Sequence, residues 1–543
     1  MYWQKWFPEP VNVYVSPEIF IDECLWSTTG GLGIVGHSFL RSARSLNLPS
    51  AGLTIRWRYG SYVQKVGPNG MEHDYAKHEI NEKVIDTGIK VKVQLAGNPN
   101  VLLSVKLIPS GAFETVPCIC LDADVEGNDG LSRSNTEKQY PGYNRGKLAQ
   151  MIILGVGGVR AFRALGIPVR KWHLNEGFSV LAAAELIREK KAAGLSFQEA
   201  LSQVKQEVVF TTHMPGMPGS EVYNRAEMME MGCFPGLEES EVSWLGRIPS
   251  DLGQFHVTAA SLRIAGKVNA VSQLHAKTTE QVYSWVQDRP QAFPITNGVD
   301  VNFWQWPEFA QARTPEALKA AKMGHKTIFA GQIQSHYAVR GVSKIFDPKV
   351  LTMGWGRRLD EYKRPWIAEG LGCNGFQVQT ACSGKPNLTD GPMISTWNRI
   401  WDKSKAIEKL AILPEDGYRT KMQMKAGVDL WLLSSRRPRE ACEDCFMSAM
   451  MNGALVMATF DGGPLEINPS HRFLYGVQDV PPNIEEQDCK DFEDAKRVLP
   501  EVIRLFRDQP DVWWQKALEA KEEAEEKFSG ERMVREYADK LYI

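Results

Sequence analysis

Little in this sequence points to one class of protein at first sight. No short-period repeat and no low-complexity segment interrupts its 543 residues, and the formal net charge is only -2. A near-neutral balance gives no overall attraction to nucleic acid or to an anionic membrane, and neither is expected as a partner. No apolar stretch is read as long enough to span a bilayer. The first twenty residues, MYWQKWFPEPVNVYVSPEIF, lack a basic segment, a long apolar run and a small-residue cleavage site, so a secretory leader is not expected. The nine cysteines show no disulfide-framework spacing, and a reducing cytoplasm is the expected compartment. Cys442 and Cys445 form a C-x-x-C without a second pair at zinc spacing and without a thioredoxin-like context. They read as buried thiols on a core helix, and no metal site is expected.

What is present is a globular composition, 43% hydrophobic and 24% charged, in a chain too long for one ordinary core. Sixteen tryptophans suit carbohydrate faces but are equally explained by packing. Apolar strand-like runs alternate with amphipathic helices, the pattern of a parallel sheet covered on both faces. VNVYV leads through a glycine turn and a helix to SAGLTIRW. Leu148, Ile152, Val156, Val159 and Phe162 share one face of a further helix. Ser196 and Glu199 make a capping box ahead of VVFTTH. A second series starts near residue 327 with TIFAG and continues through VLTMGWGRRLDEYKRP, GFQVQTACSGKP, VDLWLLSSRRP and ALVMATFDGG. The expected architecture is α/β, with two Rossmann-like domains over residues 1–305 and 306–515. A helical segment, 516–543, is expected to pack back on the first domain. Ligands in such folds sit at the carboxyl ends of strands, here in a cleft between the halves.

Four segments carry chemistry. TTGGLG (28–33) opens a helix and brings the N–H groups of Gly30 and Gly31 near an anion or hydroxyl, although most such turns are structural. In GRRLDEYKRP (356–365) a strand delivers Arg357 and Arg358 to its end, with Lys363 a helical turn beyond. An arginine fork plus a lysine charge makes a clamp for a leaving phosphate; the bland alternative is a solvated basic helix start. SSRRPREACEDC repeats the pattern with Glu440 read as lying near a helix N-terminus, where a carboxylate is favoured and accepts sugar hydroxyls. HLNEG (173–177) and FTTHMPGMPG (210–219) place Glu176 and His213 at strand ends. Met447, Met450, Met451 and Met457 read as core.

In chain order YVSPEIF, GGLGIVGHSFLRSARSLNLPSAGL, LGVGGVRAFRALGI, HLNEG, VVFTTHMP, VNAVSQLHA, ITNGV, GRRLDEYKR, VDLWLLSSRRPREA and NGALVMATFDGG resemble the glycogen and α-glucan phosphorylase family in its short bacterial and archaeal form. The resemblance covers nearly the whole chain and implies the GT-B fold and retaining transfer of α-glucosyl units. It assigns Gly30 and Gly31 to the glycine loop facing the donor's sugar and phosphate. His213 matches the histidine whose carbonyl lies near the anomeric carbon, and Asn297 a 6-hydroxyl ligand. Glu440, Ala441 and Cys442 match the segment that binds the 3- and 4-hydroxyls. Arg358 and Lys363 match the phosphate-neutralising pair, with Arg357 beside them, and Glu176 is a further substrate contact.

The same resemblance implies a pyridoxal phosphate (PLP) cofactor, and here the chain departs from it. A gap-free reading from Glu440 to Asn452 puts Ser448 at the Schiff-base lysine, while Glu443, Asp444 and Cys445 occupy the phosphate turn. Serine forms no imine, and two carboxylates repel a phosphate dianion. Phe178 replaces a second histidine of the family's HLNEGH. The helix and RRLDEYK also resemble the sugar-nucleotide branch of GT-B enzymes. No cofactor is therefore expected, PLP in particular. The function read from the sequence is a retaining hexosyltransferase, taking a sugar phosphate or nucleotide sugar as donor and a sugar or glucan as acceptor, with other copies of the chain in a homo-oligomer as a further partner. Two alternatives stand beside it: an α-glucan phosphorylase holding PLP non-covalently, and an inactive glucan-binding protein.

Overall fold

The computed structural model describes the chain apart from residues 1, 26–29, 60–61, 68–69, 76–77, 79–81, 214–221 and 415–416. Two compact units emerge, one of Met1–Ser61, Tyr75–Thr296 and Met533–Ile543, the other of Tyr62–Asp74 and Asn297–Arg532. The change of unit at Thr296/Asn297 falls nine residues before the expected 305/306, immediately after the last strand of the first sheet.

The first unit is built on a nine-stranded sheet. Its order runs Ala292–Pro294, Lys267–Ala270, Val208–Thr212, Val169–Asn175, Val11–Val15, Ser50–Ile55, Cys118–Asp122, Asn98–Ile108, Ile85–Leu95. The strands from Ala292–Pro294 to Cys118–Asp122 are parallel. VNVYV and SAGLTI are buried on both faces, which is why they read as unbroken apolar runs. The last two strands form an antiparallel edge pair that the sequence reading had not foreseen. There Val91, Val93 and Leu95 point inward while Lys90, Lys92 and Gln94 face out, the alternation of a half-covered strand. Counted along the chain, the parallel strands take the order 3-2-1-4-5-6-7, so their direction of winding reverses beside Val11–Val15.

One expectation about length needs correction. The run Asn144–Leu165 is long and apolar enough to cross a membrane by length and composition alone. It lies in the core instead: Leu148, Ile152, Val156, Val159 and Phe162 are all buried, as are most of their neighbours. A π-helical turn, Ile153–Gly157, interrupts it, and a Cβ at Gly155 would lie 2.5 Å from the Ala182 nitrogen. Small residues let two backbones touch here, a constraint of packing.

The second unit carries a six-stranded, all-parallel sheet: Leu410–Leu413, Gln379–Ser383, Thr352–Gly356, Leu430–Leu433, Leu455–Thr459, Arg472–Tyr475. The chain order is 3-2-1-4-5-6, and the winding reverses between Thr352–Gly356 and Leu430–Leu433. TIFAG is not a strand. It lies inside the 24-residue helix Pro315–Ala338, which Thr314 caps and Pro315 starts, so helical context overrides a short β-branched run. The segment expected as one piece, 516–543, divides between the units. Trp513, Ala517, Ala520 and Ala524 bury the face of Pro510–Lys527 within the second unit. Met533, Val534, Tyr537 and Leu541 join the apolar cluster around Tyr14 and Phe39 in the first.

A methyl group added at Gly155 must push against the backbone of Leu181 and Ala182. Gly155→Ala is therefore expected to destabilise the chain by about 1–3 kcal/mol in urea denaturation, and a loss below about 0.5 kcal/mol would show that this contact is not tight.

Candidate active site

In each unit the polar residues gather where parallel strands end. Within the first unit, Val169–Asn175 runs straight into Glu176, and Val208–Thr212 into His213. Glu176 has a φ of +68°, a conformation most side chains avoid. Its buried carboxylate explains the posture: Oε1 accepts from Gly177 N–H at 2.9 Å and Oε2 from His213 N–H at 2.7 Å. Burial pushes Glu176 up to about 7 against the pull of those two donors. The His213 ring donates through Nε2 to Asn175 Oδ1 at 2.7 Å, and burial lowers its pKa to about 3, so the imidazole is neutral. The rest of FTTHMPGMPG, from Met214 onward, lies outside the described residues.

The glycine turn behaves differently from its expected role. Gly30 caps the helix Gly31–Ser45, and its N–H donates to Glu18 Oε2 at 3.2 Å. Tyr140 Oη donates to the other oxygen of Glu18 at 2.8 Å. The N–H group expected to meet a substrate anion thus meets the chain's own carboxylate. Thr28 and Thr29 lie outside the described residues.

The second unit holds the denser cluster, at its point of reversed winding. Arg357 follows Thr352–Gly356 and is buried. Its Nη2 donates to Glu440 Oε2 at 2.6 Å, and its Nη1 to Ser435 Oγ at 2.6 Å and to Glu443 Oε1. Lys363 Nζ stands 3.4 Å from Glu440 Oε2. Burial and the neighbouring Arg357 pull Lys363 down, yet on balance it is shifted upward, with Glu440 and Tyr362 raising it. Glu440, largely buried, is held down at about 2 by Lys363 and Arg357 against the cost of burial, and is an anion. Arg358 differs from its neighbour: its half-exposed side chain uses Nε on Asp360 at 2.6 Å.

Glu440 does not sit at a helix N-terminus, as the sequence suggested. The helix begins at Cys445, because Glu443 takes a φ of +71° and breaks the turn before it. Glu440 is fixed instead by its N–H bond to Asp461 Oδ2 at 2.9 Å. Ala441 and Cys442 are buried in this turn, and Gly463 N–H donates to Cys442 O at 2.9 Å. Of the C-x-x-C pair only Cys445 is on the helix. Asn297 Nδ2 donates to Asp444 Oδ1 at 2.9 Å. Ser448 is buried and accepts from Lys425 Nζ at 2.6 Å, and that ammonium lies 4.2 Å from the centre of the Trp304 ring. Met447, Met450, Met451 and Met457 are fully buried, as expected.

The second-unit geometry thus joins Arg357, Lys363 and Glu440 in one cluster, with Asn297 tied through Asp444 to the same turn. Sequence reasoning did not single out Ser435, Asp461, Asn175, Glu18 or Lys425. The first four follow strand ends, a position that marks them as candidates. Lys425 ends an ordinary helix, Tyr418–Gly427, and nothing local distinguishes it.

Two doubly wound α/β units with polar clusters at their strand ends define a class of protein before any relative is considered. No protein-family model matches the chain. It is 31% identical to the uncharacterized protein MJ1631 of Methanocaldococcus jannaschii, over 98% of this chain and 99% of that one. It is 28% identical to the maltodextrin phosphorylase of Thermococcus litoralis, over 99% of this chain and 71% of the relative. The glycogen phosphorylase of Aquifex aeolicus is 26% identical, over 99% of this chain and 86% of its own length. The chain belongs to the family of the Methanocaldococcus protein, a phosphorylase-like family.

Two measurements test this geometry. Arg357→Ala leaves Glu440 and Glu443 buried without their cation and is expected to cost about 3–5 kcal/mol of stability, read as a lowered Tm. Glu176 binds its proton more tightly folded than unfolded, so its stabilisation is complete below about 4.5 and disappears as pH rises to about 7. Glu176→Gln should flatten the fall of Tm over that window; an unchanged slope would refute the assignment.

Proposed function

We propose that the chain is a retaining hexosyltransferase related to the α-glucan phosphorylases, of GT-B type. It moves a glucosyl or similar unit from a sugar phosphate or nucleotide sugar to a sugar or glucan acceptor, without PLP. The observation that carries this reading is a pair of cations, the buried Arg357 and the largely buried Lys363, held after the strand end where the second sheet reverses, with Arg358 half-exposed beside them. A leaving phosphate gains its negative charge as the glycosidic bond breaks, and fixed cations stabilise that charge more in the transition state than in the bound donor.

In this mechanism Arg358 and Lys363 hold the departing phosphate. Asn297 and Glu440 bind the sugar's hydroxyls, with Ala441 and Cys442 shaping the turn. The phosphate oxygen that leaves takes the acceptor's proton on the same face, so no carboxylate nucleophile is required.

The residues present do not fit PLP at the family's position. Ser448 offers a hydroxyl, and the turn meant for the cofactor's phosphate presents the Glu443 carboxylate, already paired with Arg357. One observation favours a second reading: the buried amine of Lys425, beside Ser448, is a nucleophile close to the missing lysine. A phosphorylase reaching PLP through that amine would show cofactor absorbance and a Lys425 adduct after borohydride reduction.

Purified protein assayed with sugar nucleotides and with glucose 1-phosphate is expected to turn over without cofactor absorbance. Arg358→Ala should lower kcat by about 100-fold while glucan binding is retained. Phosphate-dependent glucan cleavage that requires added PLP would sink the proposal, and equal rates for Arg358→Ala and the parent would remove the clamp from it.

A further inference from the structure

Glu443 concentrates three costs in one side chain. Its φ of +71° lies in the left-handed region, which glycine adopts freely and a long side chain adopts at about 1–3 kcal/mol. Its carboxylate is buried, 6% exposed. Oε1 is held by Arg357 and Ser435, but Oε2 has no hydrogen-bond partner among the described residues. A glycine would complete the same turn with none of these costs. Strain, a buried charge and an orphaned oxygen at one point, beside a phosphate clamp, indicate a group kept for a ligand.

We infer that Glu443 is a resident counter-anion of the Arg357–Lys363 pair, which takes up a proton when the tetrahedral anion of a substrate enters and then offers its free oxygen as a hydrogen-bond donor. This rests on the phosphate-donor reading above. The charges of the four groups set the requirement. Glu440 is anionic, so with Glu443 ionised two carboxylates cancel the two cations, and an incoming anion meets no net attraction. With Glu443 protonated the four groups carry one net positive charge, and the orphaned oxygen has an O–H. The proton comes from solvent and adds to a carboxylate oxygen; no bond of the anion breaks.

The acidity of Glu443 permits this near neutrality. Burial raises it to about 7, with Glu440 adding to the rise and Arg357 opposing it. Glu440 stays ionised, while burial holds Asp461 well above the carboxylate range and pushes the Cys445 thiol and Tyr475 hydroxyl up. Arg357 and Lys363 stay charged because both are shifted upward. Asp444, the neighbour bonded to Asn297, is raised by burial and does not touch this pair. The carboxylate thereby occupies the turn that the phosphorylase resemblance assigns to a cofactor's phosphate.

Sulfate tests the inference, being tetrahedral and carrying no proton of its own near neutral pH. Calorimetric titration of the full chain at pH 8, in two buffers of different ionisation enthalpy, gives the protons taken up per sulfate bound. The parent chain should take up more than about half a proton, and its affinity should weaken about tenfold per pH unit above 7. Glu443→Gln should bind sulfate without that uptake and with little pH dependence. Glu443→Gly, whose backbone suits the turn, should behave likewise and covers a failure of the glutamine variant to fold. Equal uptake in parent and variants, or no saturable sulfate binding by the parent, would overturn the inference. The readout needs no turnover: linked uptake without hexosyl transfer would sink the transferase reading alone. Turnover with uptake unchanged in Glu443→Gln would sink this inference alone.

Discussion

The guanidinium of Arg357 lies between two carboxylates, the largely buried Glu440 and the buried Glu443, with Ser435 closing the gap. Much of the second unit is arranged around that contact. A buried charge is tolerated only when it is paired and hydrogen-bonded, so the turns after three neighbouring strands must converge on it. Thr352–Gly356 supplies the arginine, Leu430–Leu433 the serine and both glutamates, and Leu455–Thr459 the aspartate that anchors Glu440. A second buried arginine braces the arrangement. Arg364 binds the carbonyls of Ser434 and Ser435 and the carboxylates of Asp488 and Asp491, tying two of those turns to the helix Ile484–Asp508.

The chain's own carboxylates also take anion-binding groups in the first unit, where Glu18 accepts the Gly30 N–H. In both places a group that the phosphorylase resemblance directs toward a substrate is satisfied internally. A donor group held by an internal carboxylate is positioned without being left orphaned, which buried N–H groups rarely are.

Much of this was legible in the sequence for reasons that can be stated. Arg357, Arg358, Glu440, Glu176 and His213 follow runs that become strands buried at their carboxyl ends, and strand ends are where a parallel sheet presents polar residues. The capping box of Ser196 and Glu199 needed only local spacing and formed as read. TIFAG misled because a five-residue apolar stretch has no period to distinguish strand from helix, and the surrounding helix decided it. Asn144–Leu165 misjudged the other way: its charged ends masked an apolar run that the core swallows whole.

By itself the sequence determined the alternation of strand and helix and the polar residues at strand ends. These depend on residue type and on spacing along the chain. Tertiary structure alone decided which charges pair. Nothing in EACEDC announces that Glu443 turns against Arg357, that Glu440 answers to Arg357 and Lys363 together, or that Lys425 approaches Ser448 from another helix. Pairing depends on distance in space and on burial, which sets the strength of each charge, and neither is written in the order of residues.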